Sequence, residues 1–97
     1  MKRVIAPAAL AELNDAAAFY TASANLELGL AFLAEFEHGV NAILVNPKVG
    51  ALFRGTRRRY LLHRFPYSII YQISTDELRV IAVAHQRRRP GYWVGRK

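Results

Sequence analysis

The chain has 97 residues, of which 53% are apolar, and it carries a formal net charge of +7 with no cysteine. This length predicts one domain spanning residues 1–97, and the lack of cysteine excludes disulfides and thiolate metal sites, as is usual in the cytoplasm. No uninterrupted apolar run reaches the roughly 18 residues that span a membrane, and the N-terminal apolar stretch is too short for a signal peptide. We therefore expect a cytoplasmic protein without a membrane partner.

The chain begins with a predicted strand and helix. Residues 3–6 have the composition of a short strand, which ends at Pro7, a residue that is also favoured in the first turn of a helix. Apolar side chains then recur at helical spacing and predict a first helix. Its predicted inner face holds Leu10, Leu13, Ala17 and Tyr20, and its predicted outer face holds Glu12 and Asp15.

A second helix is predicted after a break at residues 21–25, where Ser23 or Asn25 can serve as its N-cap. It should end at Asn46, because the residue before a proline is pushed out of the helical conformation. Its predicted inward residues are Leu26, Leu30, Leu33, Phe36, Val40, Ile43 and Leu44. The two helices predict an antiparallel hairpin.

After Pro47 the apolar period changes from that of a helix to that of a strand. Residues 48–56 read as a loop, 57–64 as a strand and 67–73 as a second strand, followed by a hairpin turn at 74–77. Residues 78–84 are apolar on both faces, which predicts a strand in the centre of the sheet. The predicted order is therefore β-α-α-β-β-β, an α+β fold in which a helical hairpin packs on one face of an antiparallel sheet and leaves the other face open.

The charge of the chain is unevenly distributed. Residues 1–47 hold two Lys or Arg against five Asp or Glu, a net charge of −3, whereas residues 48–97 hold twelve against two, a net charge of +10. Such a cationic half favours binding to nucleic acid or to an acidic protein. The alternative is that the arginines only keep a small sheet in solution.

The most informative segment follows the last strand directly, and it reads His85-Gln86-Arg87-Arg88-Arg89-Pro90-Gly91-Tyr92-Trp93. Imidazole, guanidinium and phenol groups can bind phosphate and move protons, so His85, Arg88 and Tyr92 are candidates for metal-independent RNA cleavage. The structural alternative is that His85 bonds to a neighbouring strand and that the aromatic residues cover the core. Burial is the expected role of Trp93.

A second arginine cluster lies at residues 57–59. Neighbouring side chains of a strand point to opposite faces, so Arg57 and Arg59 should share one face and Arg58 should lie with Arg64 on the other. Phosphate or acidic-peptide binding and simple protection of a strand edge are equally consistent with this pattern. The candidate anion-binding residues are Arg57, Arg59, Arg64, Arg87 and Arg89.

Other chemistries find little support in the sequence. The three histidines lack the spacing of metal ligands, no glycine-rich phosphate loop is present, and neither Ser68 nor Ser74 lies in a nucleophile motif. We expect neither a metal nor a cofactor.

Several segments together resemble the RelE/ParE superfamily of bacterial toxins from type II toxin–antitoxin modules, which include plasmid stabilisation proteins. The matching segments are Ala9, Glu12-Leu13 and Tyr20, then Asn46-Pro47-x-x-Gly50, then residues 65–71, and finally residues 83–93. Their order and spacing cover almost the whole chain.

The resemblance implies a small cytoplasmic protein that arrests growth unless it is held in a hetero-oligomer by a cognate acidic antitoxin. ParE-like members poison DNA gyrase, whereas RelE-like members cleave mRNA on the ribosome with sheet cations and a C-terminal arginine–tyrosine pair. Arg88 and Tyr92 match that pair, but the sheet strand carries arginines where RelE-like members favour lysines. The turn at Asn46 and the run from Arg54 to Arg58 are more ParE-like, which favours the gyrase poison over the ribonuclease and over a non-toxic antitoxin-binding relic.

Overall fold

The change of period after Pro47 separates two helices from most of the sheet. The computed structural model describes residues Met1–Lys97, and its elements are β1 (Lys2–Ile5), α1 (Pro7–Ser23), α2 (Leu26–Val45), β2 (Ala51–Leu52), β3 (Arg58–Leu61), β4 (Tyr67–Ser74) and β5 (Glu77–His85). The predicted α+β class and the order of its elements are confirmed. One further strand, β2, lies in the segment that was predicted as a loop.

The five strands form one sheet in the order β1-β5-β4-β3-β2. β5 lies between β1 and β4, as the two apolar faces of its sequence predicted. β1 runs parallel to β5, with Arg3 beside Leu78, whereas all other pairs are antiparallel. The prediction of a wholly antiparallel sheet is therefore wrong at β1, whose direction is set by a partner far along the chain and not by a hairpin turn.

β3 is shorter than its predicted strand. It covers Arg58–Leu61, so Arg57 precedes it, and residues 62–64 belong to the loop that leads to Phe65 and Pro66. This loop turns inward, because Leu62 and Phe65 are both buried in the core beneath the helices. The Leu62 N–H bonds to the Tyr67 carbonyl at 3.0 Å, and the chain turns back toward β4 after this bond.

The helical hairpin is fixed by one cap and one close contact. Asn25 is the N-cap of α2, and its side-chain oxygen accepts a hydrogen bond from the Leu28 N–H at 2.8 Å, while Ser23 is the last residue of α1. A Cβ at Gly29 would lie 2.0 Å from the Thr21 hydroxyl and 2.8 Å from the Ala17 carbonyl oxygen. Glycine is therefore required where the two helices approach each other.

The inner face of α2 differs from the predicted one. Its buried residues are Gly29, Phe32, Phe36, Gly39, Val40 and Ile43. Leu26 and Leu30 were predicted to face inward but are 62% and 54% exposed, and Leu10 of α1 is 44% exposed. The phenylalanine rings determine this rotation, because Phe32 makes edge contacts with Phe65, in the loop before β4, and with Tyr67 of β4.

α2 is long and apolar enough, by length and composition alone, to cross a membrane. In this structure Phe32, Phe36, Val40 and Ile43 are each at most 1% exposed and belong to the core between the helices and the sheet. Core packing accounts for the apolar character of that face.

A bulge in β5 gives the sheet a second apolar face. Ile70 pairs with Ala82 and Tyr71 with Val80, so Ile81 has no partner on β4. Such an extra residue shifts the alternation of side chains, and Ile81 and Ala82 both lie on the face away from the helices. We call this face the outer face.

The outer face is covered in part by the C-terminal segment. Trp93 is 2% exposed and forms a second core with Ile70, Ile81, Ala82 and Ala84. The predicted burial of Trp93 is confirmed. The prediction that this face is open is wrong where Trp93 packs on Ile70, Ile81, Ala82 and Ala84, because the chain folds back after β5.

Candidate functional site at the end of β5

The short β1 leaves half of one edge of β5 without a strand partner. β1 pairs only with residues 77–80 of β5, and the last bond at this edge runs from the Ala6 N–H to the Val80 carbonyl at 3.0 Å. Beyond it, the Val83 N–H donates to Glu12 Oε1 at 3.0 Å, and the Ile81 carbonyl accepts from Arg96 Nη1 at 3.3 Å. Two side chains thus satisfy backbone groups that a longer strand would have paired.

Glu12, Tyr92 and Arg96 form what we call the Glu12 cluster. Arg96 donates two bonds to the Glu12 carboxylate, at 2.7 and 3.1 Å, and the Tyr92 hydroxyl donates a third to Oε2 at 2.5 Å. The side chain of Glu12 is only 16% exposed. The prediction that Glu12 faces outward is therefore wrong, because it reaches across from α1 to hold the C-terminal segment.

The cluster shifts the ionisation of its acidic members. Burial alone would raise the pKa of Glu12, but the hydrogen bonds from Arg96, Tyr92 and the Val83 N–H, together with the charge of Arg96, lower it below its usual value. Burial, the hydrogen bond to Glu12 and the charge of Glu12 raise the pKa of Tyr92 far above its ordinary value. At neutral pH the carboxylate is charged and the phenol is protonated.

These shifts predict that the protein loses stability in acid. Because the pKa of Glu12 is lower in the folded chain than its usual 4.5, its contribution is fully present above pH 4.5 and is lost as the pH falls through the folded value. Urea unfolding of the native protein and of Glu12→Gln should be measured between pH 6 and pH 2.5. The free energies of unfolding of the two proteins should converge as the pH falls. A difference in free energy of unfolding that stays constant over this pH range would contradict the account.

A pocket of about 330 Å³ lies on the outer face between β3, the end of β5 and the C-terminal segment. We call it the arginine pocket, and it is lined by Phe53, Arg59, Leu61, Ser68, Ile70, Ala84, His85, Gln86, Arg88, Arg89, Pro90, Tyr92 and Trp93. The structure thus brings together five of the candidate residues, namely His85, Arg88, Tyr92, Arg59 and Arg89. None of its lining residues is acidic.

Internal contacts hold two of these groups. The Nδ1 atom of His85 accepts a hydrogen bond from the Arg87 N–H at 3.0 Å, and its ring lies edge-on to Tyr67 at 4.9 Å. The Arg88 guanidinium lies 3.8 Å from the centre of the Tyr92 ring. The Tyr92 hydroxyl donates to Glu12, which does not line the pocket.

Arg57 has a contact set of its own. Its guanidinium donates to the carbonyls of Trp93 at 3.2 Å and Val94 at 3.3 Å and also to that of Arg96, and it lies 5.6 Å from the centre of the Trp93 ring. These bonds fasten the C-terminal segment to the sheet and leave Arg57 outside the arginine pocket.

The remaining candidate arginines are separated by the fold. Arg59 lies on the outer face, with its guanidinium 5.0 Å from the centre of the Phe53 ring. Arg64 contacts the Phe65 ring at 5.4 Å and borders a shallow depression beside the start of α2. Arg87 is exposed at the turn after β5 and lines none of the pockets.

The turn at Asn46-Pro47-x-x-Gly50 has a structural role that the sequence did not reveal. The Tyr71 hydroxyl donates to the Pro47 carbonyl at 2.8 Å and accepts from the Gly50 N–H at 2.9 Å. A Cβ at Gly50 would lie 2.8 Å from the Tyr71 ring. The turn therefore needs glycine, and it anchors the chain to β4.

Sequence reasoning also missed Glu12, Arg96 and Ser68 as members of this region. Only the folded structure brings these residues together. Glu12 and Arg96 are 84 residues apart in the chain, and nothing in the sequence distinguishes Ser68 from the other serines. No three His, Asp or Glu side chains lie close enough to hold a metal ion.

Comparison with known proteins identifies a family. The model of the ParE toxin of the type II toxin–antitoxin system parDE matches residues 4–90. Among solved structures, a chain from the "Chromosomal ParDE TA system from P. aeruginosa" matches with a TM-score of 0.77 and 18% identity, over 88% of this chain and 95% of that one. At that identity the likeness concerns the fold alone. No curated protein matches the chain.

Proposed function

Because the chain belongs to the ParE family of toxins from type II toxin–antitoxin systems, we propose that it arrests growth by poisoning DNA gyrase and that a cognate acidic antitoxin neutralises it. Because DNA gyrase is a cytoplasmic target, the protein would act in the cytoplasm. Together, the toxin and its antitoxin would maintain the plasmid or chromosomal segment that encodes them. The proposal makes the protein a binder of gyrase and not an enzyme.

The observation that carries this choice is the position of the Tyr92 hydroxyl. A ribonuclease needs one group to take a proton from the 2′-hydroxyl and another to protonate the leaving oxygen. Tyr92 donates to Glu12 at 2.5 Å in a partly buried cluster, and its raised pKa makes it a poor proton donor. The Nδ1 atom of His85 is also engaged, by the turn that follows it. These contacts favour structural roles for both residues.

One observation favours the RelE-like alternative. His85, Arg88 and Tyr92 border a single pocket, and an arginine beside a tyrosine is the pair that such a nuclease would use. The two mechanisms differ in what the Tyr92 hydroxyl must do, and one substitution separates them.

We expect Tyr92→Phe to retain growth arrest, because it keeps the ring and removes only the hydroxyl that bonds to Glu12. Because the acceptor is a carboxylate, the lost bond should cost about 1.5–3 kcal/mol of stability. Induction of the native protein and of this variant in the absence of antitoxin, with protein levels matched by immunoblot, measures the arrest. Mapping of mRNA ends in the same cultures should show no codon-phased cuts.

Three outcomes would count against the proposal. Codon-phased cuts that Tyr92→Phe or Arg88→Ala abolishes would establish the nuclease. Unchanged growth on induction of the native protein would indicate a non-toxic relic. Arrest that persists when a small acidic protein encoded beside this gene is co-expressed would contradict neutralisation by that partner.

A further inference from the structure

The arginine pocket combines an apolar floor with a cationic rim. Ser68 pairs with Ala84 across the sheet, and these two small residues leave a recess between the larger Leu61 and Trp93. Leu61, on one wall, is 51% exposed. Apolar surface beside a recess is typical of a site that receives a side chain from outside.

Ser68 contributes a polar side chain to the lining of the pocket. Ser68 is 4% exposed. No fully buried side-chain nitrogen or oxygen of the protein lacks a hydrogen-bond partner. The hydroxyl borders the pocket, where it can bond to an incoming polar group.

The arginines of the rim form no ion pair within the chain, and the nearest acidic groups, Glu12 and Asp15, border a separate depression beside Arg88. The three ion pairs of the protein join Arg3 to Glu37, Arg79 to Glu77 and Arg96 to Glu12, and none involves a rim arginine. Arg59 and Arg88 lie over aromatic rings, which leaves their donors free to bind a carboxylate. The site therefore fits an apolar side chain flanked by carboxylates.

Nucleic acid fits this pocket less well than a peptide. Bases bind by stacking on accessible aromatic faces, but Trp93 is 2% exposed and the Tyr92 ring is covered by Arg88. The remaining aromatic ring of the lining, that of Phe53, is half-buried and lies beneath the Arg59 guanidinium at 5.0 Å. The exposed Leu61 is aliphatic.

We propose that the arginine pocket anchors one large apolar side chain of an acidic antitoxin segment, with the neighbouring carboxylates bound by Arg59, Arg88 and Arg89. This inference rests on the proposed function for the identity of the partner, and the pocket chemistry can be tested separately. An acidic segment also matches the net charge of +10 in residues 48–97.

The test uses the full-length protein and a synthetic probe, an acetylated and amidated tetrapeptide with the sequence Asp-Phe-Asp-Asp. Titration into isotope-labelled protein, followed by NMR, should shift the backbone signals of Ser68 and Ala84 and the indole signal of Trp93. Replacement of the phenylalanine by alanine, or of the aspartates by asparagine, should weaken binding about tenfold.

Protein variants separate the pocket from general charge attraction. Arg88→Gln should weaken binding of the tetrapeptide about tenfold, whereas Arg64→Gln, which removes the same charge elsewhere, should leave it unchanged. Ala84→Leu fills the recess and should abolish the preference for the phenylalanine peptide over the alanine peptide. If this variant does not fold, the result for Arg88→Gln decides the question.

Equal affinity for the phenylalanine and alanine peptides, or shifts confined to residues outside the pocket, would overturn the proposal. Stronger shifts of the same residues by a thymidylate octamer at equal concentration would assign the pocket to nucleic acid and also overturn it. A protein that binds the peptide as predicted but leaves gyrase active would refute only the proposed target.

Discussion

Replacement of Trp93 by alanine should lower the free energy of unfolding by about 3–5 kcal/mol, the usual cost of deleting a buried tryptophan. The ring is 2% exposed and is the largest side chain of the second core on the outer face. Its loss also removes the surface over which the Arg57 guanidinium lies at 5.6 Å. A small domain has only about 5–15 kcal/mol of total stability, so this one change removes a large share of it.

Because Trp93 is the only tryptophan of the chain, urea unfolding should be followed by far-UV circular dichroism and not by fluorescence. Val94→Ala is the matched control, since Val94 is 51% exposed and should change stability by less than about 0.5 kcal/mol. Similar unfolding midpoints for the two variants would show that the C-terminal segment does not cover the outer face.

Replacement of Glu12 by alanine is expected to cost about 2–3 kcal/mol. Removal of one partner from a fully buried ion pair costs about 3–5 kcal/mol, and the partial exposure of Glu12 and Arg96, 16% and 25%, reduces that value. The substitution leaves the Val83 N–H, the Tyr92 hydroxyl and the Arg96 guanidinium without their acceptor. Unfolding in urea at pH 7 measures the loss.

Asp15→Ala serves as the control for this prediction. Asp15 lies on the same helix, is exposed and takes part in none of the ion pairs, so its removal should have little effect on stability. The double variant Glu12→Ala and Arg96→Ala should be less destabilised than the sum of its single changes, because both remove one interaction. Strict additivity would mean that the two side chains do not interact in solution.

The sequence predicted the helices and the central strand because their signals are local. The period of apolar residues, the cap at Asn25 and the proline at 47 lie within the elements that they define. The parallel pairing of β1 depends on residues 77–80, more than seventy positions away, and no nearby turn specifies it. The inner face of α2 was misassigned because leucines occur on several sides of that helix and only the packing of Phe32 selects one.

The site was predictable in part. The segment from His85 to Trp93 was recognised because its residue types are unusual after a buried strand, and the fold places His85, Arg88 and Tyr92 at one pocket. The partners of these groups could not be predicted, since Glu12 comes from the first helix and Arg96 lies near the C-terminus. Arg57 was indistinguishable from Arg59 in sequence, and only the backfolding of the C-terminal segment gives them different contacts.

The most direct test of the account is the activity of purified DNA gyrase in the presence of the purified protein and of Tyr92→Phe. We predict that both proteins inhibit supercoiling and trap cleaved DNA complexes at similar concentrations, while mRNA on translating ribosomes stays intact. Undiminished supercoiling, combined with mRNA cleavage that requires the Tyr92 hydroxyl, would contradict the account.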